Sequence, residues 1–309
     1  MKVLITGGAG FIGSTVADLL ISRGLTVAVV DNLSTGNRQN VPKTAAFYEV
    51  DICDKAELMP IFQREKPDIV FHLAAQINVF QSIVDPTRDA LINIMGTANV
   101  LECSVKTTVK KVIYSSSAAV YGDVLELPIA ENMPKNPQSF YGLSKSVPED
   151  YLAMYAEFSG LDYTVLRYAN VYGIRQDPMG EGGVISIFLS KIMQGKPIII
   201  HGDGEQTRDF IYVQDIALAN LAAIHHASRQ IINISSNTST SIKQLATMMT
   251  TIAGQPMLSI QFSEPRQGDI MHSRLDNAAA IVSMQWKPKY SLENGLKETI
   301  NYYMTQQSL

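Results

Sequence analysis

Along the first half of the chain, apolar residues collect in short, nearly continuous runs set between longer amphipathic stretches. The runs are Lys2–Thr6, Thr26–Asp31, Ala46–Val50, Ile69–Leu73, Lys111–Ser116 and Tyr163–Arg167. They predict strands of a parallel sheet covered on both faces, because a strand that never meets water has no polar face to alternate. Phe11–Arg23, Lys55–Glu65, Asp85–Val105 and Tyr141–Ser159 have the length and periodicity of helices. Strands alternating with helices at this spacing predict an α/β fold, a Rossmann-type doubly wound parallel sheet.

Beyond Arg167 the rhythm breaks. Residues 170–207 are rich in Gly, Asp and Gln, with a helix expected over Val184–Gln194. A strand (Phe210–Val213), a helix (Asp215–His226) and a strand (Ile231–Ile234) then resume the earlier pattern. The last third offers a helix over Ile242–Ala253, a short strand near Ser259–Phe262 and a terminal helix, Leu292–Met304. The division expected is a large domain of residues 1–169 with 208–236, and a smaller C-terminal domain of 170–207 with 237–309.

Composition narrows the class. With 46% hydrophobic and 17% charged residues among 309, the chain can bury a large core and is too weakly charged to stay disordered. The net charge is -4, the pI near 5.8, and the basic residues are scattered, so no nucleic-acid partner is expected. Cys53 and Cys103 are the two cysteines and lack metal-like spacing, which predicts neither a disulfide framework nor a metal site. No apolar run approaches the ~20 residues of a membrane span, and none resembles a signal peptide. A cytoplasmic protein without membrane partners is expected.

Candidate chemistry begins directly after the first strand, at Thr6-Gly7-Gly8-Ala9-Gly10-Phe11-Ile12-Gly13. Glycines at 7, 10 and 13 let the backbone turn tightly and approach a pyrophosphate, whose charge then rests at a helix N-terminus. Asp31 ends the second strand, 18 residues after Gly13. A carboxylate there accepts from adenosine ribose hydroxyls and repels a 2′-phosphate, so NAD is the expected cofactor rather than NADP. Asp51 and Ile52, after the third strand, either flank the adenine or form an ordinary strand-end turn.

Further strings follow in order: His72-Leu73-Ala74-Ala75-Gln76, Ser115-Ser116-Ser117-Ala118-Ala119-Val120-Tyr121-Gly122, Tyr141-Gly142-Leu143-Ser144-Lys145, Arg167-Tyr168-Ala169-Asn170-Val171-Tyr172-Gly173, Gly202-Asp203-Gly204-Glu205-Gln206-Thr207-Arg208-Asp209-Phe210, Arg266-Gln267-Gly268-Asp269 and Trp286-Lys287-Pro288. Together they span nearly the whole chain, which thereby resembles the extended short-chain dehydrogenase/reductase family and, within it, the compact UDP-glucose 4-epimerases. The resemblance implies an NAD-binding Rossmann domain, a smaller substrate-binding domain, a UDP-sugar substrate and a homodimer formed by the Asp85–Val105 and Tyr141–Ser159 segments. By the same resemblance Tyr141 is the acid/base, Lys145 holds the nicotinamide ribose, and Ser117 bonds the reacting hydroxyl. Arg208, Arg266 and Asp269 hold the nucleotide diphosphate and its ribose, with Asn170 and Val184 nearby. Phe11, Ile12, Asn32, Leu73, Ala74, Ala75, Gln76, Asn93, Ser115 and Tyr168 complete the implied cofactor site.

The residue types suit the implied chemistry. A tyrosine ordinarily titrates near 10, too high for a base at neutral pH. Lys145 follows Tyr141 by four residues, so it shares a helix face, and its ammonium favours tyrosinate. Arg208 and Arg266 offer planar forks for a diphosphate, or pair with the neighbouring Asp209 and Asp269. Where a 4,6-dehydratase carries Asp-Glu after its Ser/Thr, this chain has Ala118-Ala119, so elimination lacks its acid/base pair and epimerisation at C4 of a UDP-hexose is expected. The alternatives are an epimerase of another nucleotide sugar, a uronic acid or pentose derivative, and a non-catalytic NAD-binding regulator. Ser273 either widens the pocket for an N-acetylated sugar or merely begins a turn. Pro148, inside the helix that carries Tyr141, removes the donor to Ser144 and predicts a mild kink.

Overall fold

A computed structural model describes residues 1–176, 183–265 and 270–307. The elements run β1 (Lys2–Thr6), α1 (Phe11–Ser22), β2 (Thr26–Asp31), β3 (Ala46–Glu49), α2 (Lys55–Glu65), β4 (Ile69–His72), α3 (Val79–Val84), α4 (Pro86–Ala90), a π-helical stretch (Leu91–Gly96), α5 (Thr97–Lys106), β5 (Lys111–Ser117), α6 (Phe140–Ser159) and β6 (Asp162–Tyr168). They continue with β7 (Asn170–Tyr172), α7 (Val184–Met193), β8 (Ile198–His201), β9 (Thr207–Arg208), β10 (Phe210–Tyr212), α8 (Val213–Ala223), β11 (Gln230–Ile234), β12 (Thr240–Ser241), α9 (Ile242–Ile252), β13 (Ile260–Ser263), α10 (Ala278–Met284) and α11 (Leu292–Gln307).

Seven parallel strands form the central sheet in the order β11-β6-β5-β4-β1-β2-β3. The chain builds outward from β1 to β3, then crosses to the far side of β1 to lay down β4. That reversal leaves a crevice above the carboxyl ends of β1 and β4, where an open α/β sheet binds its ligand. All four residues of β4 are buried, as a strand between two layers of helices requires. One apolar cluster around Val3, Val29 and Phe71 covers one face, and another around Leu4, Phe62 and Val112 covers the other. The Rossmann-type sheet is thus the one the apolar runs predict.

A third apolar cluster gathers Tyr172, Phe188, Ile198, Phe210, Leu245 and Leu296 from the later elements. Here β7 pairs in parallel with β10, β8 with β13, and β9 antiparallel with β12, each outside the central sheet. Of the stretch 208–236, β11 alone adds a strand to that sheet. Trp286 is buried and donates from Nε1 to the Asp215 carbonyl at 3.1 Å, tying the chain after α10 to α8.

Two helices depart from expectation. Asp85–Val105 is not one regular α-helix: Asp85 is the cap, and the middle turns relax to π geometry between α4 and α5. The wider turn brings Asn93 inward, where it bonds both Gln76 and Ser144, and Thr97 Oγ1 donates back to the Asn93 carbonyl at 2.6 Å. α3 is an additional helix. Six residues are too few to display a period, but Asn78 caps it, accepting from Gln81 N at 3.0 Å. α6 runs from Phe140 to Ser159 with Pro148 inside it.

Candidate active site

A cleft of about 880 Å³ opens along the carboxyl ends of β1, β2, β4, β5 and β6. Its floor is the glycine loop. Gly7 has φ +72°, and a Cβ there would lie 2.6 Å from Ala74 N; a Cβ on Gly13 would lie 2.1 Å from the Gly7 carbonyl oxygen. Only glycine fits either place, and the close approach leaves backbone facing the cleft. Gly10 caps α1 without a side-chain bond, so the free N–H groups of the first turn remain for an anion. Phe11, Ile12 and Gly13 line the same wall.

Asp31 stands at the edge of this loop. Its Oδ2 accepts from Ala9 N and its Oδ1 from Leu33 N, both at 2.9 Å. Burial raises its proton affinity above the ordinary carboxylate range, and the two N–H groups oppose the rise. Asn32 donates to Asp51 Oδ2 at 2.9 Å, and Asn32, Asp51 and Ile52 all line the cleft. The cradle, the capped helix and the acid fit the pyrophosphate and ribose of a dinucleotide.

On the opposite wall Leu73, Ala74, Ala75 and Gln76 leave β4, Ser115 and Ser117 end β5, and Tyr168 ends β6. Tyr168 Oη accepts from Asn220 Nδ2 at 2.8 Å. Ser117 is half-buried and its Oγ accepts from Ala119 N at 3.2 Å. Tyr141 sits in the first turn of α6, its N–H donating to Ser82 Oγ of α3 at 3.1 Å. Lys145 lies one turn further on, its Nζ 4.5 Å from the centre of the Tyr114 ring. Burial pushes Lys145 down to about 7, against the pull of Glu149 and Asp89. Beneath it, Glu149 takes a two-point bond from Arg167 at 2.9 and 2.6 Å and one from Ser116 at 2.6 Å. His72 lies behind this wall between Thr6 and Thr97, at 2.7 and 2.8 Å.

The later part of the chain closes the far end. Asn170, Val184, Arg208 and Ser273 line it. Asn170 donates to the Asp209 carbonyl, and Ser273 N to the Thr207 carbonyl at 3.2 Å. Asp209 accepts from Ser236 and from Leu275 N, and burial pushes its carboxyl up to about 6. Arg208 Nη1 donates to the Thr207 carbonyl at 2.9 Å. Arg266 and Asp269 lie outside the described residues.

Asn93 is the one described candidate that does not line the cleft. It stands behind Gln76, accepting from Gln76 N at 2.8 Å and donating to Ser144 Oγ at 2.9 Å. The residues that sequence reasoning passed over belong mainly to the wall made by α3 and α4: Asn78, Gln81, Asp85, Arg88 and Asp89. The caps Asn78 and Asp85, each followed three residues later by the N–H it accepts, were the available signal. Arg175, also on the wall, has φ +67° and pairs with Asp18 of α1 at 2.8 Å.

Known proteins share this arrangement. The model of the NAD dependent epimerase/dehydratase family matches residues 3–235. The UDP-glucose 4-epimerase of Mycolicibacterium smegmatis is 39% identical over 310 residues, which cover 98% of both chains. The crystal structure of the Thermotoga maritima UDP-glucose 4-epimerase with UDP-glucose superposes with a TM-score of 0.97 at 44% identity, covering 99% of this chain and 100% of that one. The UDP-N-acetylglucosamine 4-epimerase of Methanobrevibacter ruminantium, in complex with UDP-N-acetylmuramic acid, gives 0.93 at 36% identity, covering 99% and 98%. The fold, the glycine cradle and the Ser117, Tyr141 and Lys145 wall stand in one chain that belongs to the NAD dependent epimerase/dehydratase family.

Proposed function

We propose that the chain is an NAD-dependent UDP-sugar 4-epimerase that interconverts UDP-glucose and UDP-galactose. The observation that carries the reading is the convergence of Ser117, Tyr141 and Lys145 on the cleft that the glycine loop floors. NAD, when bound, supplies the acceptor and later the donor of the C4 hydride. Gly7, Gly10, Gly13 and the α1 N-terminus would hold its pyrophosphate, Asp31 its adenosine ribose, and Lys145 its nicotinamide ribose. Tyr141 takes the proton of the C4 hydroxyl as the alcohol becomes a ketone, with Ser117 bonding the reacting oxygen. Once the 4-keto sugar has turned over, Tyr141 returns the proton to the C4 oxygen while the hydride returns to the other face of the carbon. Arg208, together with Arg266 and Asp269, would fix the nucleotide while the hexose turns.

Ala118 and Ala119 line the cleft beside Ser117, where an eliminating enzyme needs an acid and a carboxylate. Their methyl groups favour epimerisation over dehydration. The cofactor domain is taken as 1–169 with 208–236 and the sugar domain as 170–207 with 237–309, the latter supported by the packing of α7, β8, α9 and α11 in the third apolar cluster, which Phe210, Tyr212 and Val213 join from the other stretch. Ser273 on the cleft wall favours a second reading, in which N-acetylated hexoses also enter. The working unit is a two-fold dimer, a reading supported by an apolar stripe left open along α6. The purified protein should be incubated with UDP-, GDP- and dTDP-sugars and the products resolved by NMR. Interconversion of the UDP-glucose pair is expected. Bound NAD without turnover of any sugar would instead mark a regulator of the same fold.

A further inference from the structure

Asp89, on α4 and four residues before Asn93, is 1% exposed and lines the cleft. Its Oδ1 accepts from Gln76 Nε2 at 2.7 Å and from Asn93 Nδ2 at 3.2 Å. Its Oδ2 is buried and has no hydrogen-bond partner. A carboxylate oxygen in that condition is costly, and buried charge is retained where an opposite charge answers it.

Of the cations on the cleft near Asp89, Lys145 is buried, 3% exposed, whereas Arg88 on α4 is exposed. Two carboxylates act on it from within the protein, Glu149 from its own helix and Asp89 from α4. Glu149 is already answered by Arg167 and Ser116. His72 and Tyr114 also lie against Lys145. Burial drives the His72 imidazole down to about 3, and burial holds the Tyr114 phenol well above its ordinary range. Tyr141 is the remaining neighbour on α6. Asp89 is therefore the carboxylate beside Lys145 that keeps an oxygen without a hydrogen-bond partner.

We propose that Asp89 is a positioning residue of the active site, its free oxygen providing the counter-charge that holds the Lys145 ammonium beside Tyr141 while its bonded oxygen fixes Gln76. The proposal rests on the reading of Tyr141 and Lys145 as the acid/base pair, and its first readout needs no substrate. Asn93, in the π-helical stretch, links the two helices, donating to Asp89 Oδ1 and to Ser144 Oγ of α6.

The test uses the NAD-loaded protein labelled with ¹³C at the lysine ε-carbons. The Lys145 signal is identified by its loss in Lys145→Met. In Asp89→Asn, which keeps the volume and an acceptor for Gln76, its titration midpoint should fall by about one pH unit or more. Asp89→Ser, also uncharged, is the second variant and should move it the same way. Gln76→Ala breaks the hydrogen bond but keeps the charge, and should leave the midpoint in place. An unchanged midpoint in both Asp89 variants overturns the proposal, and so does an equal shift in Gln76→Ala. With UDP-galactose, Asp89→Asn should lose about tenfold in kcat, the ratio that one pH unit represents, with KM for the sugar nearly unchanged. A wild-type protein that turned over no UDP-sugar would defeat the proposed function, while the titration would still decide the role of Asp89.

Discussion

Tyr141 is a phenol set among neighbours that suit the role proposed for it. Its backbone is fastened to Ser82, Lys145 rises one turn away over the Tyr114 ring, and Ser117 lies on the same cleft wall. Removing the hydroxyl alone keeps the ring and the packing but deletes the group proposed to carry the proton. Tyr141→Phe should therefore lower kcat by ~10²–10⁴-fold while NAD remains bound. Single-turnover kinetics with UDP-galactose, and cofactor content by mass spectrometry, check both halves. Near-wild-type turnover would remove Tyr141 from the acid/base role. The same two glycine positions that admit the dinucleotide, Gly7 and Gly13, show how little freedom the cradle has: neither accepts even a methyl group without striking backbone.

The strands and long helices were legible from the chain because each repeats one physical requirement many times. β1, β2, β4 and β5 are apolar on both faces, and α2 and α6 pair a cap with a sustained amphipathic run. What escaped was built from single contacts. α3 has six residues, and its place is set by Asn78 at its start and by Ser82 reaching α6, 59 residues away along the chain. The π-helical stretch answers to Asn93 bonding Gln76 and Ser144, partners that no local pattern reveals. Likewise Asp89 looks like one more helix acid until the fold buries it. α3 acts as a brace on α6, since Ser82 is fully buried and its Oγ accepts from a first-turn N–H of that helix, which the helix's own carbonyls do not reach. Ser82→Ala should cost ~1–3 kcal/mol of stability, the penalty for an unsatisfied buried donor, and lower kcat with it. Urea unfolding and steady-state kinetics on the same preparations check this. Unchanged values in both would show that α3 merely covers the cleft.

For the molecule as a whole, the outer face of α6 poses the last question. Leu143, Val147, Tyr151, Met154 and Phe158 recur at intervals of three and four residues, which places them in one stripe along the helix. Four of the five are exposed, Phe158 to 79%, and Leu91 and Met95 of the neighbouring π-helical stretch are exposed as well. α3 adds Phe80, Ile83 and Val84, each open to solvent. Scattered apolar side chains need no explanation, but a stripe of them on adjacent helices is the kind of surface that a protein partner covers. In the dimer proposed above, a two-fold axis would pack one stripe against its own copy, with α6 and the neighbouring π-helical stretch of each subunit in a bundle. Light scattering at micromolar concentration should give twice the chain mass of 33.9 kDa. Met154→Glu places a charge in the middle of the stripe, where the partner's matching glutamate would face it across the axis, so the variant should run as a folded monomer. Circular dichroism separates dissociation from unfolding. A wild-type monomer, or a Met154→Glu variant that remains dimeric, would assign the stripe to some other contact.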